Sequence, residues 1–248
     1  MKKIIIHGGC GAREEPSTPF EAYHEHLMPI ITAAYEYLVK SNNAVETALL
    51  AASLLEDDSI FNAGTGSRVQ QDGQIRMSAA YMDSIKNKFS GVINIQNVQY
   101  PSRVAKELQN QHHRILSGEH ATNHAYQVLK MKPYNPMTDK SWNEYIELKK
   151  GLTGTIGVVV LDDNDVICAI TSTGGAGFEV PGRVGDSPTV AGNFASSAMG
   201  ISCTGIGEEI VNRAVAAKIH TRVIDGMSLQ DAINKSIAES DSTNDYVG

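Results

Sequence analysis

The sequence predicts an α+β fold in which antiparallel strands are covered by helices. Short apolar runs occur in pairs that are joined by polar turns, as the strands of hairpins are. Longer segments with apolar residues at helical spacing separate these pairs. The regular strand–helix–strand alternation of a parallel sheet is not present in the pattern, which favours antiparallel sheets with helices on their faces.

The first half of the chain contains three apolar runs of strand length and three helix starts. The motif Thr18-Pro19-Phe20-Glu21 combines a capping box with a proline in the first turn, and it predicts where the first helix begins. Asn43 and Glu46 repeat the capping arrangement before a second helix, and Pro101 opens a third. The predicted strands of this half are residues 3–6, 76–82 and 91–95.

The second half begins after a polar segment. From about residue 130 to Gly154 the sequence lacks a sustained period and contains two prolines, so it is predicted to be a linker. Apolar runs at 155–161 and 166–171 predict a hairpin around Asp162-Asp163-Asn164-Asp165. This turn is interpreted as solvated, because the glycine and glutamate of a calcium-binding EF-hand loop are missing.

Two helices are predicted to follow the hairpin. One begins at Glu208 and carries apolar residues from Ile210 to Val223, and the other is capped by Ser228 and Asp231. The chain is therefore expected to consist of an N-terminal part, residues 1–154, and a C-terminal part, residues 155–248, within one domain.

Composition excludes several classes of function. The net charge is −7 and no run of basic residues occurs, which argues against a nucleic-acid partner. No apolar stretch approaches the ~20 residues of a membrane helix, and the apolar start is too short for a signal peptide. Cys10, Cys168 and Cys203 have neither pairing nor metal spacing, and we interpret them as packing residues in a reducing cytoplasm. The histidines also lack a metal-binding pattern, so no metal site is expected.

Thr155 is a candidate nucleophile because of its position at the end of the linker, directly after Gly154. If the peptide bond before Thr155 is cut, the new α-amino group lies on the same residue as the hydroxyl. Such an amine has a pKa of about 7.7–8.0, so it can accept the hydroxyl proton near neutral pH. Glycine at position 154 permits the strained backbone that self-cleavage requires.

Several motifs occur in a fixed order around this threonine. They are His7-Gly8-Gly9-Cys10-Gly11, Phe61-Asn62-Ala63-Gly64-Thr65-Gly66-Ser67, Gly154-Thr155-Ile156-Gly157, Ser172-Thr173-Gly174-Gly175, Gly182-Arg183-Val184-Gly185-Asp186-Ser187-Pro188 and Ser202-Cys203-Thr204-Gly205-Ile206-Gly207-Glu208-Glu209. Together they resemble the isoaspartyl peptidase/L-asparaginase family, the plant-type asparaginases among the N-terminal-nucleophile hydrolases. The resemblance extends over nearly the whole chain.

The resemblance implies a four-layer αββα sandwich and an enzyme that cleaves itself between Gly154 and Thr155. Such an enzyme hydrolyses L-asparagine and β-aspartyl (isoaspartyl) dipeptides through an acyl-threonine. No organic cofactor is implied, although relatives often hold a structural sodium ion in the loop that corresponds to the one around Asn62. The resemblance also implies a homodimer of two-chain units.

The same resemblance assigns roles to individual residues. Thr173 would orient the nucleophile, and Thr204 and Asn62 would form the oxyanion hole. Arg183 and Asp186 would hold the α-carboxylate and the α-ammonium group of the substrate, as their charges suit. The remaining substrate-binding positions are Val184, Gly185, Thr204, Gly205, Ile206 and Gly207.

Two other interpretations of the chain remain open. A glycosylasparaginase would share the fold and the nucleophile, but such enzymes are usually secreted or lysosomal. A non-catalytic relative would remain an uncut precursor that binds an amino acid or a partner. The support for the non-catalytic alternative is that the sequence ends at Gly248, where relatives continue with further strands. The expected fold therefore lacks the last C-terminal strands.

Overall fold

The computed structural model describes residues 1–10, 19–147 and 154–241. In chain order the elements are β1 (Lys3–His7), α1 (Phe20–Ser41), α2 (Ala44–Asp57), β2 (Met77–Asp83), β3 (Ser90–Ile95), α3 (Pro101–Leu108), β4 (Ile115–Ser117), α4 (Gly118–Gln127), α5 (Asp139–Ile146), β5 (Ile156–Leu161), β6 (Ile167–Thr173), β7 (Asn193–Ala195), β8 (Gly200–Ser202), α6 (Gly207–Arg213), α7 (Val215–Ile224) and α8 (Leu229–Asp241).

The fold is mixed α/β, and its sheets are mainly antiparallel. Six strands form the main sheet in the order β1-β5-β6-β2-β3-β4, and β7 and β8 form a second sheet. All neighbouring strands are antiparallel except the pair β3 and β4. The predicted hairpin is present as β5 and β6, with Leu161 opposite Ile167. The strands and helices expected in the first half are also present, with ends that shift by one or two residues.

The two faces of the main sheet pack against different partners. Helices α1, α2 and α3 contact one face, whereas β7 and β8 contact the other. Alternate residues of β5 follow this division, as the two-residue period of a strand requires. Ile156 and Val158 belong to the core on the helix side, while Val159 packs against the side of the second sheet.

A second group of helices lies beyond the second sheet. Helix α7 contacts β7 on one side and α8 on the other. Its buried residues Val215 and Ile219 form a core with Met199 and Cys203 from the region of β8. Within the described residues, no helix is long and apolar enough to cross a membrane.

Of three predicted capping motifs, those of α2 and α8 cap their helices as predicted, and that of α1 differs. The Asn43 side chain accepts a hydrogen bond from the backbone N–H of Glu46 (3.0 Å), and the Ser228 hydroxyl accepts one from Asp231. These are the predicted caps of α2 and α8. Helix α1 begins at Phe20, with Pro19 at the N-cap position rather than in the first turn. The predicted cap Thr18 lies outside the described residues.

The segment predicted to be a linker contains a helix. Helix α5 is capped by Thr138, whose hydroxyl accepts from the backbone of Ser141 while the Ser141 hydroxyl accepts from the backbone of Thr138. Its buried face is small, so the apolar period that would have predicted it is weak. Residues 148–153 of the linker lie outside the described residues.

The long helix predicted from Glu208 is two helices. Helices α6 and α7 are separated at Ala214, whose backbone is left-handed (φ 49, ψ 47). Alanine is a good helix former and gives no signal for such a break.

The hairpin turn between β5 and β6 was predicted to be solvated, and this is wrong for its first residue. Asp162 is buried. Its carboxylate accepts from the backbone N–H groups of Asn164 and Val166, and also from Ala44 at the start of α2 (3.0 Å). The turn therefore holds the N-terminus of α2 against the sheet.

Candidate active site

Two threonines, Thr155 and Thr173, meet at one end of the main sheet, and a third, Thr204, lies against the loop that follows β1. Thr155 immediately precedes β5, Thr173 ends β6, and Thr204 follows β8. Because Ile156 lies opposite Ser172 in the antiparallel pair, Thr155 and Thr173 face each other at the strand ends. All three are buried, with exposed fractions of 6%, 8% and 5%.

The hydroxyl groups of Thr155 and Thr173 are hydrogen-bonded. Thr155 Oγ1 donates to Thr173 Oγ1 over 3.2 Å, and the backbone N–H of Gly175 donates to the same Thr173 oxygen over 3.1 Å. Thr173 Oγ1 is thus held from two sides, which fixes the position of the Thr155 hydroxyl. The sequence Thr173-Gly174-Gly175 produces this arrangement because the left-handed Gly175 (φ +83) turns its N–H back towards the threonine.

Thr204 is held by the loop that follows β1. The backbone N–H of Cys10 donates to Thr204 Oγ1, and Cys10 Sγ donates to the Thr204 carbonyl, both over 3.3 Å. Since Thr204 Oγ1 accepts the Cys10 bond, its own proton is available to a further acceptor. Cys10 was expected to be a packing residue, but the residue is exposed and its thiol takes part in this contact. Burial of the thiol nevertheless raises its pKa.

Asn62 lies beside Gly154 with a fixed amide. Its Nδ2 donates to the Gly175 carbonyl (2.6 Å), and its Oδ1 accepts from the backbone N–H of Arg68 (3.0 Å). These two partners determine the orientation of the amide group. A side chain at Gly154 would come within 3.0 Å of Asn62 Cβ, so the two residues are in close contact. One Nδ2 proton of Asn62 remains for another acceptor.

The glycine loop after β1 covers the peptide bond between Gly154 and Thr155. Gly9 has φ +108, and a Cβ at this position would lie 2.7 Å from Gly154 Cα and 3.4 Å from Thr155 N. Only glycine can bring the backbone this close in a left-handed conformation. The backbone of Gly9, which has no side chain, therefore packs directly against the Gly154–Thr155 peptide bond that was predicted to be cut.

Arg183 is paired with Glu208, for which no role in the site was predicted. Its Nε donates to Glu208 Oε1 and its Nη2 donates to Glu208 Oε2, each over 2.7 Å. This bidentate pair occupies one edge of the guanidinium group and leaves the Nη1 edge for another anion. The Glu208 bond is the main reason that the pKa of Arg183 is raised. Glu208 follows Gly207 directly, and only its place in the motif could have indicated the contact.

Asp186 is buried close to Arg183 but is not bonded to it. Its exposed fraction is 5%, and its Oδ2 is buried without a hydrogen-bond partner. Burial raises the pKa of this carboxyl group to about 7, although the nearby Arg183 charge opposes the shift. A Cβ on Gly207 would lie 2.9 Å from Arg183 Nη2 and 3.0 Å from Asp186 Oδ1. Both charged groups therefore meet at the backbone of Gly207.

The other predicted substrate-binding residues flank this pair. Gly205 has φ +145, a conformation that favours glycine, and both Gly205 and Gly207 are buried. The Ile206 side chain is exposed, and so is the Val184 side chain. Gly185 approaches the Arg183 guanidinium, because a Cβ there would lie 3.2 Å from Nη1. The two predicted loops are thus adjacent in space.

Glu56 supports the Thr173 strand from the other face of the sheet, a role that was not predicted from the sequence. It is completely buried, and its carboxylate accepts from the hydroxyls of Ser172 (2.7 Å) and Ser102 (2.6 Å). Burial raises the pKa of Glu56 to about 7, against the effect of these hydrogen bonds. Its carboxylate connects α2, the start of α3 and the residue before Thr173. An apolar helix face offers no sequence signal for such a residue.

Comparison with known proteins gives a consistent result. A family model described as asparaginase matches residues 1–248. The isoaspartyl peptidase/L-asparaginase of Nostoc sp. is 40% identical, with coverage of 98% of this chain and 83% of its own length. The protein of the same description from Synechocystis sp. is 41% identical, with coverage of 99% and 80%. The isoaspartyl peptidase of Escherichia coli is 34% identical, with coverage of 95% and 81%.

Proposed function

The chain belongs to the asparaginase family, and on this premise we propose that it is a self-cleaving amidohydrolase. It cuts the peptide bond between Gly154 and Thr155, and then hydrolyses L-asparagine and β-aspartyl dipeptides through an acyl-threonine. The observation that carries the proposal is the buried hydrogen bond from the Thr155 hydroxyl to Thr173, directly beside Gly154 and Asn62. The descriptions of the relatives as isoaspartyl peptidase/L-asparaginase support the substrates.

Maturation begins when Thr155 Oγ1 attacks the carbonyl carbon of Gly154. The C–N bond breaks as the acyl group moves to oxygen, and the hydroxyl proton goes to the Thr155 nitrogen. The Thr155 α-amino group is now free, and water hydrolyses the ester to give the Gly154 carboxylate and the free Thr155 hydroxyl. The Thr173 hydroxyl orients the attacking oxygen, and the close packing of Gly9 keeps bulky groups away from the bond.

Turnover uses the new amino group as a general base. It accepts the Thr155 hydroxyl proton, and the oxygen attacks the side-chain amide carbon of the substrate. The free protons of Thr204 and of the Asn62 amide stabilise the resulting oxyanion. Collapse of this intermediate expels ammonia or the second amino acid, which takes the proton from the Thr155 amine. Water then attacks the acyl-threonine, and aspartate leaves.

The charged ends of the substrate are bound by the residues around Gly207. The free edge of the Arg183 guanidinium binds the α-carboxylate, and the Asp186 carboxylate, whose Oδ1 lies beside Gly207, accepts from the α-ammonium group. Val184, Gly185, Gly205 and Ile206 complete this region. Backbone rather than side chains at the glycines gives the substrate access to both charges.

Membership of the family also leads us to proposals on the layer architecture, the assembly and the compartment of the protein. We propose a four-layer αββα sandwich, supported by the contacts of α1, α2 and α3 with the main sheet and of α7 with the second sheet. We further propose that the linker ends at Gly154, that the mature two-chain unit forms a homodimer, and that the protein acts in the cytoplasm without an organic cofactor.

We propose, from the family resemblance, that the loop around Asn62 binds a structural sodium ion. Gly64 and Gly66 have positive φ, and their backbones lie close to those of Glu56 and Ser59. Backbone carbonyl groups of this loop would be the ligands, since hard cations prefer oxygen. The ion would stiffen the loop that carries Asn62.

The test is the release of aspartate from L-asparagine, from a β-aspartyl dipeptide and from a glycosyl-asparagine. The wild-type protein is expected to release aspartate from the first two, and Thr155→Ser is expected to retain part of this activity. Thr155→Ala is expected to release none. Activity of Thr155→Ala at the wild-type rate would contradict the mechanism, and preference for the glycosyl-asparagine would make the protein a glycosylasparaginase.

A further inference from the structure

A second set of polar side chains lies next to the three threonines, and the proposed mechanism does not use it. Thr171 is two residues from Thr173, and Ser202 is two residues from Thr204. Gly157, which has no side chain, is two residues from Thr155 and leaves space beside them. Because side chains two apart in a strand share a face, such residues lie next to the active site on the same side of the sheet. His7 joins this set from β1, where it pairs with Gly157.

These side chains form one chain of hydrogen bonds, which we call the polar layer: His7, Ser202, Thr171 and Asn193. His7 Nε2 is 3.0 Å from Ser202 Oγ, and Ser202 Oγ is 2.7 Å from Thr171 Oγ1. Thr171 Oγ1 donates to Asn193 Oδ1 over 3.0 Å. The polar layer connects β1 and β6 of the main sheet with β7 and β8 of the second sheet.

The His7 imidazole occupies the space beside the nucleophile's strand. A Cβ on Gly157 would overlap both His7 Nε2 and Ser202 Oγ. The ring therefore fills the place of the missing side chain, between β5 and β8. It also faces the backbone of Thr155, a contact that opposes the effect of burial on the pKa of His7.

Ser202 Oγ lies between the His7 imidazole and Thr171 Oγ1 and is within hydrogen-bond distance of both. Thr171 Oγ1 bonds to Asn193 Oδ1 and lies 3.4 Å from the Gly192 carbonyl oxygen. The other ring nitrogen of His7, Nδ1, is buried. Burial lowers the pKa of His7 to about 4, so the ring is neutral at physiological pH.

We propose that His7 is a positioning residue for Thr155: the hydrogen bond between its Nε2 and Ser202 fixes the imidazole beside β5, against the Thr155 backbone, and so holds the nucleophile towards Thr173. The role rests on the proposed function. It requires both the shape of the ring and the polar Nε2, because shape alone would remove the Ser202 hydroxyl from its bond to His7. His7 does not touch the substrate and exchanges no proton with it.

The test compares His7→Phe, which keeps a ring but removes the hydrogen-bonding nitrogen, with His7→Gln, whose amide group can bond to the Ser202 hydroxyl. Ile5→Ala is the matched control, since Ile5 lies two residues away on β1 and is 69% exposed. For each protein we would measure the rate of cleavage at Thr155 by intact mass, kcat and KM for L-asparagine, and the thermal unfolding midpoint.

His7→Phe is expected to mature and turn over roughly 10–100-fold more slowly with KM within about twofold of wild type, since small displacements of a nucleophile have effects of this size. His7→Gln should recover much of this loss, and Ile5→Ala should show none. If His7→Phe does not fold, Ser202→Ala removes the same bond and is expected to lower both rates while leaving KM unchanged.

Three outcomes would overturn the positioning role. They are wild-type rates in His7→Phe, failure of His7→Gln to recover any rate while it folds normally, and wild-type rates in Ser202→Ala. A wild-type protein that stays uncut and inactive would contradict the proposed function itself, and the positioning role would fall with it. Normal cleavage and turnover of the wild type together with unaffected variants would contradict only the role of His7.

Discussion

The hydroxyl of Thr155 donates a hydrogen bond to the hydroxyl of Thr173 over 3.2 Å, and both side chains are buried. The two residues are 18 positions apart in sequence and meet because β5 and β6 form an antiparallel hairpin. The bond leaves the Thr155 oxygen with a defined direction next to Gly154. Orientation of this kind is a main source of rate enhancement in intramolecular reactions.

Thr173→Val removes this bond while it preserves the shape of the side chain. Both the cleavage at Thr155 and kcat are expected to fall about five- to tenfold, as the loss of about 1–1.5 kcal/mol of hydrogen bonding predicts. KM should change little, because Thr173 is not proposed to bind the substrate. Thr173→Ser is the matched control and should retain most of both rates. Equal rates for the valine and serine variants would contradict an orienting role.

Thr204 is expected to contribute to the oxyanion hole through its free proton. Thr204→Val should therefore lower kcat by roughly 10²–10³, the effect typical of the loss of one such donor. Steady-state kinetics with L-asparagine would measure it, and Thr204→Ser is the control that keeps the hydroxyl. A loss confined to KM would instead assign Thr204 to substrate binding alone.

Glu208 holds the guanidinium group of Arg183 along one edge. In Glu208→Ala the arginine loses this support, so KM for L-asparagine is expected to rise several-fold while kcat stays within about twofold. Glu209→Ala is the control, because Glu209 is on the same helix but pairs with Arg213. A lower KM in Glu208→Ala would mean that Glu208 competes with the substrate carboxylate instead of positioning its ligand.

Asp186 should make substrate binding depend on pH. Its pKa is raised to about 7 by burial, so the group is mostly protonated at pH 6 and mostly ionised at pH 8. Only the ionised form attracts the substrate α-ammonium group. KM for L-asparagine is therefore expected to fall roughly tenfold from pH 6 to pH 8, in proportion to the ionised fraction. Asp186→Asn should show a high KM that does not vary over this range, and a constant wild-type KM would contradict the assignment.

The motifs and their order indicated individual site residues, but they did not indicate the partners of those residues. Thr155, Thr173 and Thr204 were assigned from short motifs far apart in sequence, and the structure places the hydroxyls of Thr155 and Thr173 in contact. Arg183 and Asp186 also meet, at Gly207. The partners of these residues were not predictable, because Glu56, Glu208 and the polar layer depend on tertiary contacts that no local spacing records.

The fold was predictable where local signals are strong. The hairpin of β5 and β6 and the capped helices α2 and α8 follow from periodicity and caps. Strands of three residues such as β7 are too short to show a period, and the helix break at Ala214 comes from a left-handed alanine that only tertiary packing imposes.

The mass of the purified wild-type protein, measured intact after incubation near neutral pH, tests the central claim most directly. The account predicts two fragments, the lighter of which begins at Thr155, and it predicts a single uncut chain for Thr155→Ala under the same conditions. A wild-type protein that remains a single species, or a cut at any other bond, would contradict the proposal that Thr155 becomes an N-terminal nucleophile.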